Sequence, residues 1–342
     1  MAGAGASHRS RKGVLRASAR CRGGGHCDVD AGPGVAHHLP AGRRASSVGV
    51  NGPWSRLPGE EGTGSSPVPG VRSPVGPDPT RPSIARVHDY SLGGKDNYEV
   101  DRRFFHDILR IAPRMREVPL TTRRWLDRVV RYLVCEAAID QIVDIGAGLP
   151  AFRNIHEVAH QHESRARVVY VDNDPLCCTH GRALLARHAG VQYVQADLTR
   201  PRNVLSETAD HLERDRPLAV ILSSVLHHVP EELDPARIVR EYTEILPPGS
   251  YIALNHYLDP ADNPVAHRLA RELENRFVHG LGSGWFRPRE RIAALFDGLE
   301  LVEPGLVEVG DWWPHGPALR PRSPEERLML GGLGRIPALR HR

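Results

Sequence analysis

The chain has 342 residues, 40% of them apolar and 6% aromatic, with 45 Lys and Arg against 41 Asp and Glu and a formal net charge of +4. That length suits one large α/β domain with an appendage, or two modest domains, and no stretch reaches the roughly 18 consecutive apolar residues of a membrane span. The five cysteines are odd in number and lack framework spacing, which argues against a disulfide scaffold and for a cytoplasmic protein with reduced thiols.

Residues 1–80 hold a single aromatic, Trp54, among many Gly, Ala, Ser, Arg and Pro. Such a segment cannot bury enough apolar surface to offset chain entropy, and it reads as a disordered low-complexity tail. It carries ten of the basic and five of the acidic residues, so the remainder, at 35 against 36, is close to neutral. The net positive charge therefore says little about nucleic acid. The first 27 residues share the composition of a transit peptide, but a low-complexity extension fits them better. Cys21, His26, Cys27, His37 and His38 match no zinc-ligand spacing.

Residues 81–140 read as an N-terminal helical cap. A short helix opens at Pro82, Gly93-Gly94 interrupts it, and apolar stripes over 100–111 and 120–139 predict two longer helices. From residue 141 onward strands and helices alternate. Strands are expected at 142–145, 168–171, 192–195, 218–222 and 251–255, with helices at 151–161, 175–188, 204–213 and 235–246 between them. Runs such as Ala219-Val220-Ile221-Leu222 carry apolar residues on both faces, which points to a parallel sheet covered by helices. A helix at 289–295 and two late strands, 299–302 and 328–330, complete a seven-stranded Rossmann-like α/β core over 141–342.

The chemistry concentrates where the first strand ends. Asp144-Ile145-Gly146-Ala147-Gly148-Leu149-Pro150 is a strand breaking at Gly-x-Gly, where backbone can approach a nucleotide-like ligand closely. Pro150 suits a first helical turn. Asp172 ends the second strand, followed by Asn173, and Asp197-Leu198 follow the third, so three carboxylates line one crevice. Asp172 suits ribose hydroxyls and Asp197 an adenine amine, although Asp is also a common turn former and helix cap. Gly146-x-Gly148-x-x-Ala151 also satisfies the dinucleotide fingerprint, which leaves an NAD-dependent oxidoreductase as an alternative. A pyrophosphate beside Asp144 would be repelled, whereas a cationic ligand without phosphate would be attracted.

These residues resemble the class I S-adenosylmethionine-dependent methyltransferases. More narrowly, residues 85–98 with their Gly93-Gly94-Lys95-Asp96-Asn97 block, residues 144–150, Asn154-Ile155-His156-Glu157, residues 169–175 and residues 247–251 resemble an actinobacterial S-adenosyl methyltransferase family, formerly classed as a domain of unknown function. His88 stands where that family usually has tyrosine. The resemblance implies S-adenosyl-L-methionine as cofactor, contacted by Asp144, Gly146, Gly148, Asp172, Asn173, Asp197 and Leu198. Tyr90 and Gly94 would sit in a lid with Lys95, Asp96 and Asn97. The acceptor is expected to be a small molecule, and a non-catalytic cofactor-binding regulator is a further alternative. His227 and His256, after the fourth and fifth strands, are the candidate proton acceptors, with His228 and Tyr257 beside them. Cys177 and Cys178 read as packing residues. Trp312-Trp313 with Arg320 and Arg322 lack the sustained basic stripe of a nucleic-acid surface.

Overall fold

The computed structural model of the protein describes residues 78–314, 316 and 320–338. Residues 1–77, with their expected disordered tail, transit-peptide-like composition and Cys/His cluster, lie outside the described residues.

Three helices come first: α1 (Ile84–Ser91), α2 (Glu99–Ile111) and α3 (Glu117–Cys135). Asp101 is fully buried and accepts from the Tyr98 amide (2.8 Å), the Ser83 amide (3.0 Å) and Arg86 Nε (2.7 Å), so one carboxylate welds α1 to α2. A buried charge is tolerable only when it is partnered in this way. The α3 stripe of Trp125, Leu126, Val129, Val130 and Leu133 is buried. Ala138, at φ 55°, turns the chain into the sheet.

The parallel strands β1 (Gln141–Ile145), β2 (Arg167–Asp172), β3 (Val191–Gln195), β4 (Ala219–Leu222) and β5 (Tyr251–Tyr257) are connected through α4 (Ile155–His160), α5 (Pro175–Leu184), α6 (Pro201–Glu207) and α7 (Pro235–Ile245). Downstream lie α8 (Pro264–Leu281), α9 (Arg289–Ala293), two-residue strands β6 (Glu300–Leu301) and β7 (Val307–Glu308), and β8 (Met329–Arg335). Strand order is β3-β2-β1-β4-β5-β8-β6, with β8 antiparallel to its neighbours. Both β6 and β7 pair with β8 on the side away from β5, at Gly334–Arg335 and Leu330–Gly331. Eight strands thus occupy seven rows, which agrees with the expected α/β sheet.

Every residue of β1, β4 and β5 is buried, as a sheet covered on both faces requires. Alternation along β1 then sorts its side chains. Val143 and Ile145 join a cluster with Val220, Leu222 and residues of α7, whereas Ile142 joins the α2 and α3 residues with Val168 and Tyr170. Asp144, two residues from Ile142, belongs to the face that α3 covers.

Among the elements that differ from expectation are two helices. The helix after the glycine turn starts at Ile155, not near 151, because Arg153 adopts φ 59° and Asn154 Oδ1 accepts the Ala151 amide at 3.0 Å. Pro150 therefore lies in a loop and not in a first helical turn. The 18-residue α8 had no counterpart in the expected elements.

Candidate functional site

The carboxyl ends of β1, β2 and β3 lie side by side, with Asp144 paired to Tyr170 and Asp172 to Gln195. At Gly146 the chain turns with φ 70°, and a Cβ there would stand 2.2 Å from Val225 Cγ1, so only glycine lets this turn pack against the loop after β4. Gly148 also has positive φ, 69°, but a Cβ there would meet nothing within 4 Å. Its backbone therefore borders open space, where a ligand can approach.

Asp172 organises this turn. Its Oδ2 accepts the Gly148 amide (2.8 Å) and its Oδ1 the Asp174 amide (2.9 Å), while burial raises its pKa against these stabilising bonds. Asn173 is exposed beside it. Two residues beyond β3, Asp197 Oδ1 accepts both the Thr199 amide (2.9 Å) and its hydroxyl (2.8 Å), so it does form a turn. The Leu198 carbonyl accepts from Tyr242 Oη at 3.0 Å, which pins that turn to α7.

Asp144 behaves differently from both. Only 8% exposed, it makes no hydrogen bond or ion pair with any described residue. Burial pushes its carboxyl up to about 7, with Arg123 pulling it back and Asp172 pushing it further. A buried, unpartnered carboxylate is costly unless something cationic completes it. Arg123, on α3, is the residue that sequence reasoning missed. It lines the same cleft as Asp144, Ala147 and Gly148, donates through Nη2 to the Arg153 carbonyl, and leaves a buried Nε without a partner. A signal existed: α3 feeds β1 by a short turn and must run back along it, bringing its first half to the carboxyl end of β1.

The Gly93–Asn97 block sits against α5, where Asp96 Oδ2 lies 3.6 Å from His180 Nδ1. Gly94 is fixed by packing, since a Cβ would fall 1.9 Å from Asp89 Oδ1, and Asp89 in turn accepts from Asn97 Nδ2 at 2.8 Å. Tyr90 hydrogen-bonds His106 Nε2 through its hydroxyl (2.9 Å), under the Arg116 guanidinium. Lys95 is exposed.

Past β4 and β5 four histidines gather. His227 is 4% exposed, and its ring lies 4.3 Å from His228, 4.8 Å from Tyr257 and 5.8 Å from His256, centroid to centroid. His88 is the fourth, close enough for its charge to act on both His227 and His228. Desolvation holds three of them neutral, His228 at about 4, His256 at about 3 and His227 well below the usual range, while His88 is exposed. Their bonding separates the two candidates. Arg287 Nη1 can only donate, so His256 Nε2 accepts from it at 2.6 Å and His256 Nδ1 donates to the Tyr257 carbonyl at 2.8 Å. Both ring nitrogens are occupied. His228 Nδ1 contacts Ser283 Oγ at 2.8 Å. His227 Nδ1 is buried without a partner, and its Nε2 bonds no described residue.

Cys177 and Cys178 are buried, and desolvation pushes both thiols up, Cys178 to about 11, which makes them poor nucleophiles. Trp312 is fully buried and stacked on Trp313, Arg322 is neutralised by Glu308 and Asp311, and Arg320 by Glu117 and Glu326. No group of three or more metal-ligating side chains occurs among the described residues, and no helix there is long and apolar enough to cross a membrane.

A family model described as S-adenosyl methyltransferase matches residues 74–337. Among solved structures, a candidate methyltransferase from Thermobifida fusca YX is 38% identical, over 76% of this chain and 96% of its own, with a TM-score of 0.71. A DUF574 family protein from Streptomyces avermitilis MA-4680 is 36% identical, over 76% of this chain and 99% of its own, with a TM-score of 0.69. No curated protein matches the chain.

Proposed function

The chain belongs to the S-adenosyl methyltransferase family, and from that premise we propose that it transfers the methyl group of S-adenosylmethionine to a small-molecule acceptor, inside the cell. In this reading Asp144, Gly146 and Gly148 hold the amino-acid end of the cofactor, Asp172 and Asn173 its ribose, and Asp197 with Leu198 its adenine. Tyr90 and Gly94 belong to the lid. Residues 81–140 act as the cap and 141–342 as the catalytic core.

The observation that carries this reading is Asp144: a buried carboxylate with no partner among the described residues, beside a glycine turn with open space at Gly148. An ammonium group completes such a carboxylate, whereas the pyrophosphate of a dinucleotide would be repelled by it. When bound, the cofactor supplies an electrophilic methyl on a sulfonium. The chain's own residues must then orient the acceptor, exclude water and, where the acceptor carries a proton, remove it. His227 suits the last task better than His256, because its ring has no fixed hydrogen bond while both nitrogens of His256 are engaged.

Isothermal titration of the full chain with S-adenosylhomocysteine provides the test. Binding is expected, weakened about 10- to 100-fold in Asp144→Asn, as loss of a charged hydrogen bond implies. Affinity should also rise from pH 6 to pH 8 in the wild type, because the Asp144 carboxyl sits at about 7 and must ionise to meet an ammonium. An absence of binding, or NAD binding that improves in Asp144→Asn, would overturn the reading.

A further inference from the structure

Resting on the cofactor reading above, we infer that Arg123 of the helical cap anchors the carboxylate of the cofactor's amino-acid moiety, so that this zwitterion bridges cap and sheet between Arg123 and Asp144. Both side chains line one cleft with Ala147 and Gly148. Their charges act on each other, yet no ion pair joins them. Opposite charges in a partly buried cleft would be expected to close on one another unless the backbone holds them apart. Here it does, for Asp144 is fixed within β1 and Arg123 is tethered by Nη2 to the Arg153 carbonyl.

The gap has the polarity of an α-amino acid. A carboxylate waits on one side without a donor, and on the other a guanidinium waits with a buried, unpartnered Nε. A ligand carrying only an ammonium would satisfy Asp144 and leave Arg123 facing more positive charge. One carrying only a carboxylate would do the reverse. A ligand with both groups on one carbon satisfies the two together. His88 and Tyr170 also lie within reach of the Arg123 charge, but an imidazole carries no negative charge and burial raises the pKa of the Tyr170 hydroxyl, so neither neutralises it.

The experiment compares S-adenosylmethionine with decarboxylated S-adenosylmethionine, which differ only in the carboxylate, by titration calorimetry on the full chain. The wild type should prefer the carboxylate-bearing ligand by about 10-fold or more, and Arg123→Met should bind both equally, with affinity for the decarboxylated ligand unchanged or improved. Arg123→Lys should keep part of the preference, and it serves as the second variant if Arg123→Met does not fold. Asp144→Asn should weaken both ligands alike. A preference that survives in Arg123→Met, or a preference in Arg123→Lys equal to that of the wild type in the absence of a folded Arg123→Met, overturns the assignment. Failure of the wild type to bind either ligand overturns the cofactor reading itself.

Discussion

The three carboxylates at the strand ends do different work although they look alike in the sequence. Asp172 and Asp197 spend oxygens on neighbouring backbone amides, whereas Asp144 spends none. Spacing placed all three on one crevice, because strand ends in a parallel sheet share an edge. It could not tell which of them was partnered, since that depends on where amides of other turns point. Arg123 was hidden for a related reason: on α3 it is one arginine among several, and only the antiparallel run of α3 along β1 brings it to Asp144. The histidines carry the same lesson, as the tautomer of His256 is set by Arg287, 31 residues away. His227→Gln should therefore cost about 100-fold or more in turnover of an acceptor that must lose a proton. Untargeted metabolite profiling of a deletion strain checks this, because wild-type chain restores the missing methylated product and His227→Gln should not. Full restoration by the variant would remove His227 from the mechanism.

Helices and strands were legible where their periodicity was strong. Those of 100–111 and 235–246 fall within a residue or so of the observed bounds. The α8 segment is hard to see in the sequence although Asn263-Pro264 is a regular start, with Asn263 Oδ1 accepting from the Val265 and Ala266 amides at 3.2 Å, and Ala270, Leu273 and Phe277 buried on one stripe. Its many charges masked that stripe. Strand β8 extends past the expected 328–330 through Gly331, Gly332 and Gly334, where glycine serves close packing, for a Cβ at Gly331 would stand 2.8 Å from Val309 and 3.1 Å from the Trp125 ring. Trp125 thus ties α3 to the far side of the sheet and is wholly buried. Trp125→Ala should destabilise the protein by about 3–5 kcal/mol, read from urea unfolding. A loss below about 1 kcal/mol would contradict the seating of α3 on the sheet.

At the scale of the molecule, the N-terminal helices and the sheet share one hydrophobic cluster, in which Phe104, Phe105 and Trp125 meet Ile142, Val168 and Leu333. The enclosed imidazoles make this unit acid-sensitive. His156, His227, His228 and His256 are held neutral in the fold with pKa values well under 6.5, while the unfolded chain binds protons at 6.5. Between about pH 6.5 and 4 the unfolded state therefore takes up more protons at these sites, and stability falls as pH falls. Asp89, Asp144 and Asp172, with raised pKa values, act in the opposite sense over the same range. The imidazoles outnumber them, so the urea midpoint should be lower at pH 4.5 than at pH 7. An equal or higher midpoint at pH 4.5 would show that the carboxylates prevail.

The broken seventh row of the sheet has a consequence for self-association. A long edge strand offers unpaired amides and carbonyls on which a second chain can align and begin an aggregate. Here that border is divided between β6 and β7, two residues each, with Pro304 in the intervening turn. Neither piece is long enough to template an incoming strand, so the glycine-bearing β8 beneath them is shielded from intermolecular pairing.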